Sequence, residues 1–392
     1  MGDTTGTTTA GGADATPAAF DEAWVAVRRA DFAAAFARMD RAAGRPVLVL
    51  SHDDADGLGA AATLARALPR APGPPETRVE VRLVGRGEDA WSEAMRAELR
   101  DRPACGVLIA DLGTRGGPSP RPDLPTVILD HHVPRGGPPE GDVTVVSGHP
   151  VSPQPTSALL AYRCAQGVAG DLPDLAWLAA LGVVGDLAEK GGFPELDAAR
   201  AMPGGITAVR DAVSLLNAAR RSSSGVAAPA LALLMRAANA REVVRAEGPE
   251  ADALRAAREE VRAEVEAARR LPPRVVGDVA LIRLHSRCQV HPLVAQAWLG
   301  RLKGKVVMAA NTGYRPGWVH FAARGGAPGL DLTAFLRAHA PSEAAAASGS
   351  YGGGHAGASG GALPPAEWNA FVRALGFGPE ATVPAEEGAA AA

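Results

Sequence analysis

The stretch VLSHDDADGLGAA runs from Val49 to Ala61. An apolar run leads into Ser51 and His52. Asp53, Asp54 and Asp56 follow at once, then Gly57 and an alanine-rich segment. The first half reads as the end of a buried strand and the second as the start of a helix. The same alternation continues outward. PVLVL (46–50) is a short β-branched run and LGAAATLARAL (58–68) is helical. TRVEVRLV (77–84) is a strand, EDAWSEAMRAELR (88–100) a helix, and GVLIADL (106–112) and TVILD (126–130) are buried strands. This order predicts a parallel α/β sheet, which keeps its ligand site beyond the carboxyl ends of its strands. His52 to Asp56, Asp111, and Asp130 to His132 all fall at those ends.

At 392 residues the chain suits two domains. Residues 1–20, rich in Thr, Gly and Ala, read as a disordered tail, and 21–44 as a helix. The first α/β unit extends over 21–190, with helices from 156 onward. Residues 191–273 form a helical extension that ends in a long connector helix, 248–270. Leu254, Ala257, Val261, Val265 and Ala268 line one face of that helix at three- and four-residue spacing. A smaller α/β unit follows over 274–378. It comprises strand 275–284, helix 291–302, strands 305–311 and 317–323, helix 331–339, and a glycine-rich loop, 349–361. Residues 379–392 read as a solvated tail. No internal repeat is evident.

No apolar run is long enough to span a membrane. The first residues lack the basic patch and apolar core of a secretory signal. Cys105, Cys164 and Cys288 show no paired spacing. A cytoplasmic, reducing setting is the expectation.

The net charge of −3 is unevenly spread. Residues 274–373 hold ten Lys/Arg against four Asp/Glu. An acidic first part joined to a basic last part points to metal ions on one side and a polyanion on the other.

Four separated pieces carry the chemistry: HDDADG (52–57), ADLG (110–113), LDHH (129–132) and VVGDLAEKG (183–191). A single Asp after a strand is usually a cap or turn residue. Together, however, the pieces bring several carboxylates and imidazoles to the ends of neighbouring elements. Carboxylates that close repel unless cations intervene. Mixed carboxylate–imidazole ligation suits Mn²⁺, with Mg²⁺ or Zn²⁺ as alternatives. No cysteine accompanies the cluster, which argues against a structural zinc site.

These pieces resemble the motifs of the DHH phosphoesterase superfamily, named for a triplet that here is Asp130-His131-His132. SHDDADGLGAA is similar to its first motif in the form found in archaeal-type RecJ-like proteins. Asp111 resembles the second-motif aspartate and Asp186 the fourth. GGGHAGASGG (352–361) resembles the hallmark of the DHH-associated substrate domain, and ARGGAPGLDLTAFL (323–336) is similar to RecJ-type sequences. The resemblance covers about residues 45–365. It departs at RGG (324–326), where a serine usually follows the arginine, and at Gly59-Ala60, where small hydroxyl residues are common.

The resemblance implies an N-terminal parallel-sheet catalytic domain, a smaller α/β substrate domain and two metal ions. His52, Asp54 and Asp111 would hold one ion, and Asp56, Asp111, His131 and Asp186 the other, with Asp111 shared. Asp130 would orient His131, and His132 would touch the phosphate. Asp53 falls at the motif's variable position and is left to a supporting role or to solvent. In the basic unit, Arg324 and the Gly353-Gly354-His355 turn would hold substrate phosphate. Trp318, Phe321 and Tyr351 are aromatic residues that either stack on a base or fill the core. His285, Cys288 and His291 match no standard metal spacing.

The leading expectation is an Mn²⁺-dependent exonuclease on single-stranded DNA or RNA, or on short oligonucleotides. A second reading keeps the site but takes a small phosphoester, such as a cyclic dinucleotide, a nucleoside bisphosphate or pyrophosphate. A third is a non-catalytic nucleic-acid-binding partner in a replication or repair complex. The presence of every metal motif argues against the third.

Overall fold

The computed structural model describes residues 18–73, 76–325, 327, 329–348 and 350–384, apart from the side chain of His355. The expected tails therefore lie mostly outside the described residues.

The first sheet has five strands, all parallel. Their order is Val79–Val84, Val47–His52, Gly106–Ala110, Thr126–Asp130 and Val143–Ser147. The three middle strands are buried along their length, as expected for a parallel sheet covered on both faces. Alternate side chains go to opposite layers. Val47, Val49, Leu108 and Val127 pack with Phe32, Phe36 and Leu64 of the covering helices. Leu48, Leu50, Val107 and Ile109 pack with Trp91, Met95 and Leu99. A helical layer around the buried Trp177 follows in the chain.

The second sheet is mixed and six-stranded. Its order is Arg274–Val276, Val279–Leu284, Val306–Arg315, Trp318–Gly325, Ala358–Leu363 and Tyr351–His355. Only the second and third of these run parallel. The Pro249–Ala268 helix belongs to two cores. Ala251 and Leu254 sit in the helical layer of the first unit. Val261 and Ala268 sit against Ile282, Val307 and Ala309 of the second sheet.

Several details differ from expectation. The first helix stops at Ala37, and a 3₁₀ turn, Arg41–Ala43, closes on Gly44 at φ 68°. The expected strand 275–284 is a hairpin folded at Gly277. The glycine-rich loop is also a hairpin, because its glycines let two strands pair closely. Ala18–Ala19 pair with Val151–Ser152 instead of trailing into solvent. Near the other end, Ala381 is fully buried and its carbonyl accepts from Trp368 Nε1 at 3.1 Å, so the chain is docked past residue 379. Phe321 and Tyr351 are core residues, and the Tyr351 hydroxyl donates to the Leu336 carbonyl. Among the described residues, no helix is long and apolar enough to cross a membrane.

Candidate metal centre

The strand order reverses between Val47–His52 and Gly106–Ala110. At such a switch point the two flanking loops part and leave a crevice beyond the strand ends. His52, Asp54 and Asp56 leave the first of these strands, and Asp111 leaves the second.

Local structure fixes each ligand. Asp54 is the N-cap of the Ala55–Ala67 helix and accepts from Gly57 N at 3.1 Å. Asp56, in the first turn, points away from its own helix. Its carboxylate accepts from Ser157 N (2.8 Å) and Ala158 N (2.9 Å), at the N-terminus of the Ser157–Ala169 helix. A helix start offers free N–H groups and a positive dipole end, so it holds this carboxylate in one orientation. Asp111 has a left-handed backbone, φ 62°. It accepts from Ser157 Oγ at 3.0 Å. Asp186 caps the C-terminus of the Ala176–Gly185 helix.

These residues converge. His52 Nδ1 lies 3.0 Å from Asp54 Oδ2 and 3.4 Å from Asp111 Oδ2. His131 Nε2 lies 3.2 Å from Asp186 Oδ2, 3.6 Å from Asp111 Oδ1 and 3.9 Å from Asp56 Oδ2. Two groups with metal-ligand spacing result, His52–Asp54–Asp111 and Asp56–His131–Asp186, and Asp111 stands between them. Asp111 also forms a third such group with His131 and His132.

Asp130 differs from expectation. Its carboxylate bonds His132, through Nδ1 and the backbone N–H at 3.0 Å each, and Gly113 N at 3.0 Å. The His131 and His132 rings stand edge to face with centroids 4.6 Å apart, and it is the outer ring, His132, that meets the buried Asp130. Asp53 is buried rather than solvated. It lies 3.7 Å from His52 Nε2 and 4.0 Å from Arg220 Nη1.

Burial and the neighbouring charges of Asp56 and Asp54 hold the Asp111 carboxyl well above the usual carboxylate range. Burial, with Asp56 and Asp111, does the same to Asp186. Burial would also raise Asp54, but His52 and Arg220 outweigh it and hold Asp54 low. Burial would lower His132; the Asp130 hydrogen bond and the Asp111 charge outweigh it and raise it to about 9. Repelling carboxylates interleaved with imidazoles are an O/N donor set that fits divalent cations of the Mn²⁺ or Mg²⁺ type.

The cluster opens into a cavity of about 500 Å³. His52, Asp54, Asp111 and Asp186 line one side, and Gly352, Gly353 and Gly354 of the second unit line the other. Arg324 does not line this cavity. Its charge instead contributes to lowering Arg221, whose pKa burial brings to about 10 with help from Arg220.

Sequence reasoning missed Arg220 and Arg221. Their helix, Gly205–Arg221, is pinned to the metal loop by Asn217 Oδ1, which accepts from Ala55 N at 3.0 Å. Arg220 Nη2 then lies 3.5 Å from Asp54 Oδ2. Among the described residues, the buried Nε atoms of Arg220 and Arg221 and Nδ1 of His291 have no hydrogen-bond partner. Buried guanidinium N–H groups without partners are costly, and an anion would satisfy them. The only signal in the sequence was NAARRSSSG (217–225), a polar cluster closing an apolar helix.

No family model and no curated protein matches the chain. Among solved structures, it is similar to RecJ from Thermus thermophilus in complex with Mn²⁺, with a TM-score of 0.64 and 21% identity over 89% of this chain. The match covers 54% of that RecJ, so this chain spans about half its length. It is similar to an exonuclease RecJ bound to manganese, with a TM-score of 0.57 and 20% identity over 89% of this chain and 93% of the other. It is also similar to the DHH domain of a protein described as a member of a ribosomal-protein family, with a TM-score of 0.64 and 16% identity over 93% of both chains. Its five-stranded parallel sheet, its separate mixed sheet and the DHH triplet at a strand end give this chain the fold of the RecJ and DHH-domain proteins.

Proposed function

We propose that the chain is a two-metal phosphodiesterase that hydrolyses single-stranded nucleic acid or short oligonucleotides, with Mn²⁺ as the preferred ion. The observation that carries this reading is the juxtaposition of two opposed sites. One is a carboxylate–imidazole cluster built for cations. Beside it, Arg220, Arg221 and Arg324 present half-buried cationic groups suited to phosphate. RecJ structures in complex with Mn²⁺ and with Mg²⁺ support a divalent ion of this type, and the mixed carboxylate–imidazole donor set favours Mn²⁺.

His52, Asp54 and Asp111 would hold one ion, and Asp56, Asp111, His131 and Asp186 the other. Bound there, such ions supply Lewis-acid activation of water and charge stabilisation for displacement at phosphorus. The remaining residues bind and orient. Asp130 keeps His132 protonated and fixed, so that its other ring nitrogen can donate to a phosphate oxygen. Ser157 holds the Asp111 carboxylate in place. Arg220, Arg221 and Arg324 bind the substrate's phosphate. Gly353 and Gly354 allow backbone to approach it closely, and His355 is assigned to the same task by its motif alone.

A panel of labelled single-stranded DNA, RNA, dinucleotides and small phosphoesters, each with Mn²⁺, tests the reading directly. Arg324→Ala should raise KM for an oligonucleotide, since a charge-assisted phosphate contact is worth about 1.5–3 kcal/mol. The loss in kcat/KM on a generic phosphoester held only at the metals should be much smaller. Equal losses on both would assign Arg324 to the structural core. Oligonucleotide binding should also weaken with salt, at a slope near ~0.7 per phosphate contact.

A further inference from the structure

Two segments leaving the metal-bearing strand ends share a tetrapeptide. Arg115-Gly116-Gly117-Pro118 follows Asp111, and Arg135-Gly136-Gly137-Pro138 follows His132. The two pair in parallel, with Arg115 directly opposite Arg135, and Arg135 N donates to Thr114 O at 2.9 Å. Like charges set opposite each other on paired strands are destabilising. Asp89 offsets Arg115 at 2.8 Å. Burial and the Arg115 charge lower the Arg135 pKa. The pair nevertheless stands at the crevice beyond the strand ends, where a polyanion bound at the acidic cluster would meet it.

Both arginines line the metal cavity together with Asp111 and His132. Both also line a second cavity of about 620 Å³, floored by Gly116, Gly117, Gly136 and Gly137, bordered by one carboxylate, Glu140, and reaching Ala347 of the second unit. The arginine pair therefore borders both cavities, with the carboxylate–imidazole cluster on one side and the glycine ribbon on the other. Arg220, Arg221 and Arg324 line neither cavity, so the two basic groups address different parts of a substrate. The glycine floor leaves room for a sugar–phosphate backbone. The Arg135 guanidinium also occupies the place a Cβ on Gly353 would take, which brings it against the opposite wall.

We propose that Arg115 and Arg135 hold a phosphate at least one nucleotide beyond the scissile bond, so that the enzyme prefers single-stranded oligonucleotides long enough to lie on the ribbon. This rests on the phosphodiesterase reading and adds a length-reading site to it. The test compares kcat/KM for a dinucleotide and a hexanucleotide, with Mn²⁺, in the wild type and in the double variant Arg115→Ala/Arg135→Ala. The wild type should favour the hexanucleotide, and the double variant should lose about tenfold or more of that preference, mainly through KM. Arg115→Lys/Arg135→Lys should restore part of it, which a purely structural role would not predict.

A wild type that cleaves both substrates without preference overturns the inference and leaves the phosphodiesterase reading standing. Equal losses on both substrates in the double variant also overturn it. A wild type that cleaves neither removes the phosphodiesterase reading. Hexanucleotide binding followed by fluorescence anisotropy in EDTA then decides the ribbon alone: binding tenfold weaker in the double variant upholds the site, and equal binding overturns it.

Discussion

Asp111→Asn is expected to lower kcat on an oligonucleotide by at least about 10³-fold, or ~4 kcal/mol of transition-state stabilisation. One oxygen of this carboxylate faces His52 and the other faces His131. A single charge therefore serves both ligand groups, and its loss weakens both. Asparagine is the right replacement because it tolerates the left-handed backbone at this position. Its side-chain oxygen also keeps the acceptor for Ser157. Without metal, the variant should melt above the wild type. The folded state holds the Asp111 proton more tightly than the unfolded chain does, so the penalty on its ionisation grows as pH rises above about 3.9 and is present at pH 7. Asparagine removes that penalty. Adding Mn²⁺ should raise the wild-type Tm and raise the variant's far less. Near-normal turnover in a folded variant would end the two-ion reading.

Gly182→Ala should also be damaging, although residue 182 carries no side chain to touch a substrate. Gly182 lies in the Ala176–Gly185 helix, where alanine is intrinsically favoured over glycine by about 1 kcal/mol. Packing reverses that preference. The new methyl would overlap the Asp56 carboxylate and sit 2.7 Å from Ala158 Cβ and 2.8 Å from Thr156 Oγ1. None of these can swing aside: Asp56 is tied to two backbone N–H groups, and the others begin a buried helix. Overpacking costs about 1–3 kcal/mol, and a ligand displaced by 1 Å can cost about 10²-fold in rate. The expected result is a lower Tm, weaker Mn²⁺ binding and kcat reduced about 10²-fold. Unchanged kinetics would show that Asp56 does not need its observed position.

The carboxylate–imidazole cluster was legible because parallel strands end in one place, so an Asp or His at each strand end is enough to predict convergence. His52, Asp54, Asp56, Asp111 and His131 meet as that rule requires, whereas Asp186 joins them from the end of a helix, which the rule does not cover. Direction was less legible than position. Whether Asp130 meets His131 or His132 depends on which way two neighbouring rings turn, and no periodicity records that. Arg220 and Arg221 escaped notice because arginines at a helix C-terminus normally interact with the helix dipole and solvent. What sets them apart is a tertiary contact, Asn217 to Ala55, that brings their helix onto the metal loop. The glycine hairpin was misread as a loop because glycine signals both flexible turns and closely paired backbones, and only its partner strand, Trp318–Gly325, distinguishes the two.

The Pro249–Ala268 helix, anchored in both cores, is also a lever. Twenty residues make a rod about 30 Å long. A tilt of roughly four degrees pivoting near Ala251 and Leu254 would carry the far end by roughly 2 Å, close to the length of a hydrogen bond. Such a tilt would gear the aperture between the aspartates and the glycine hairpin to how two apolar side chains seat in a helical layer remote from that cavity.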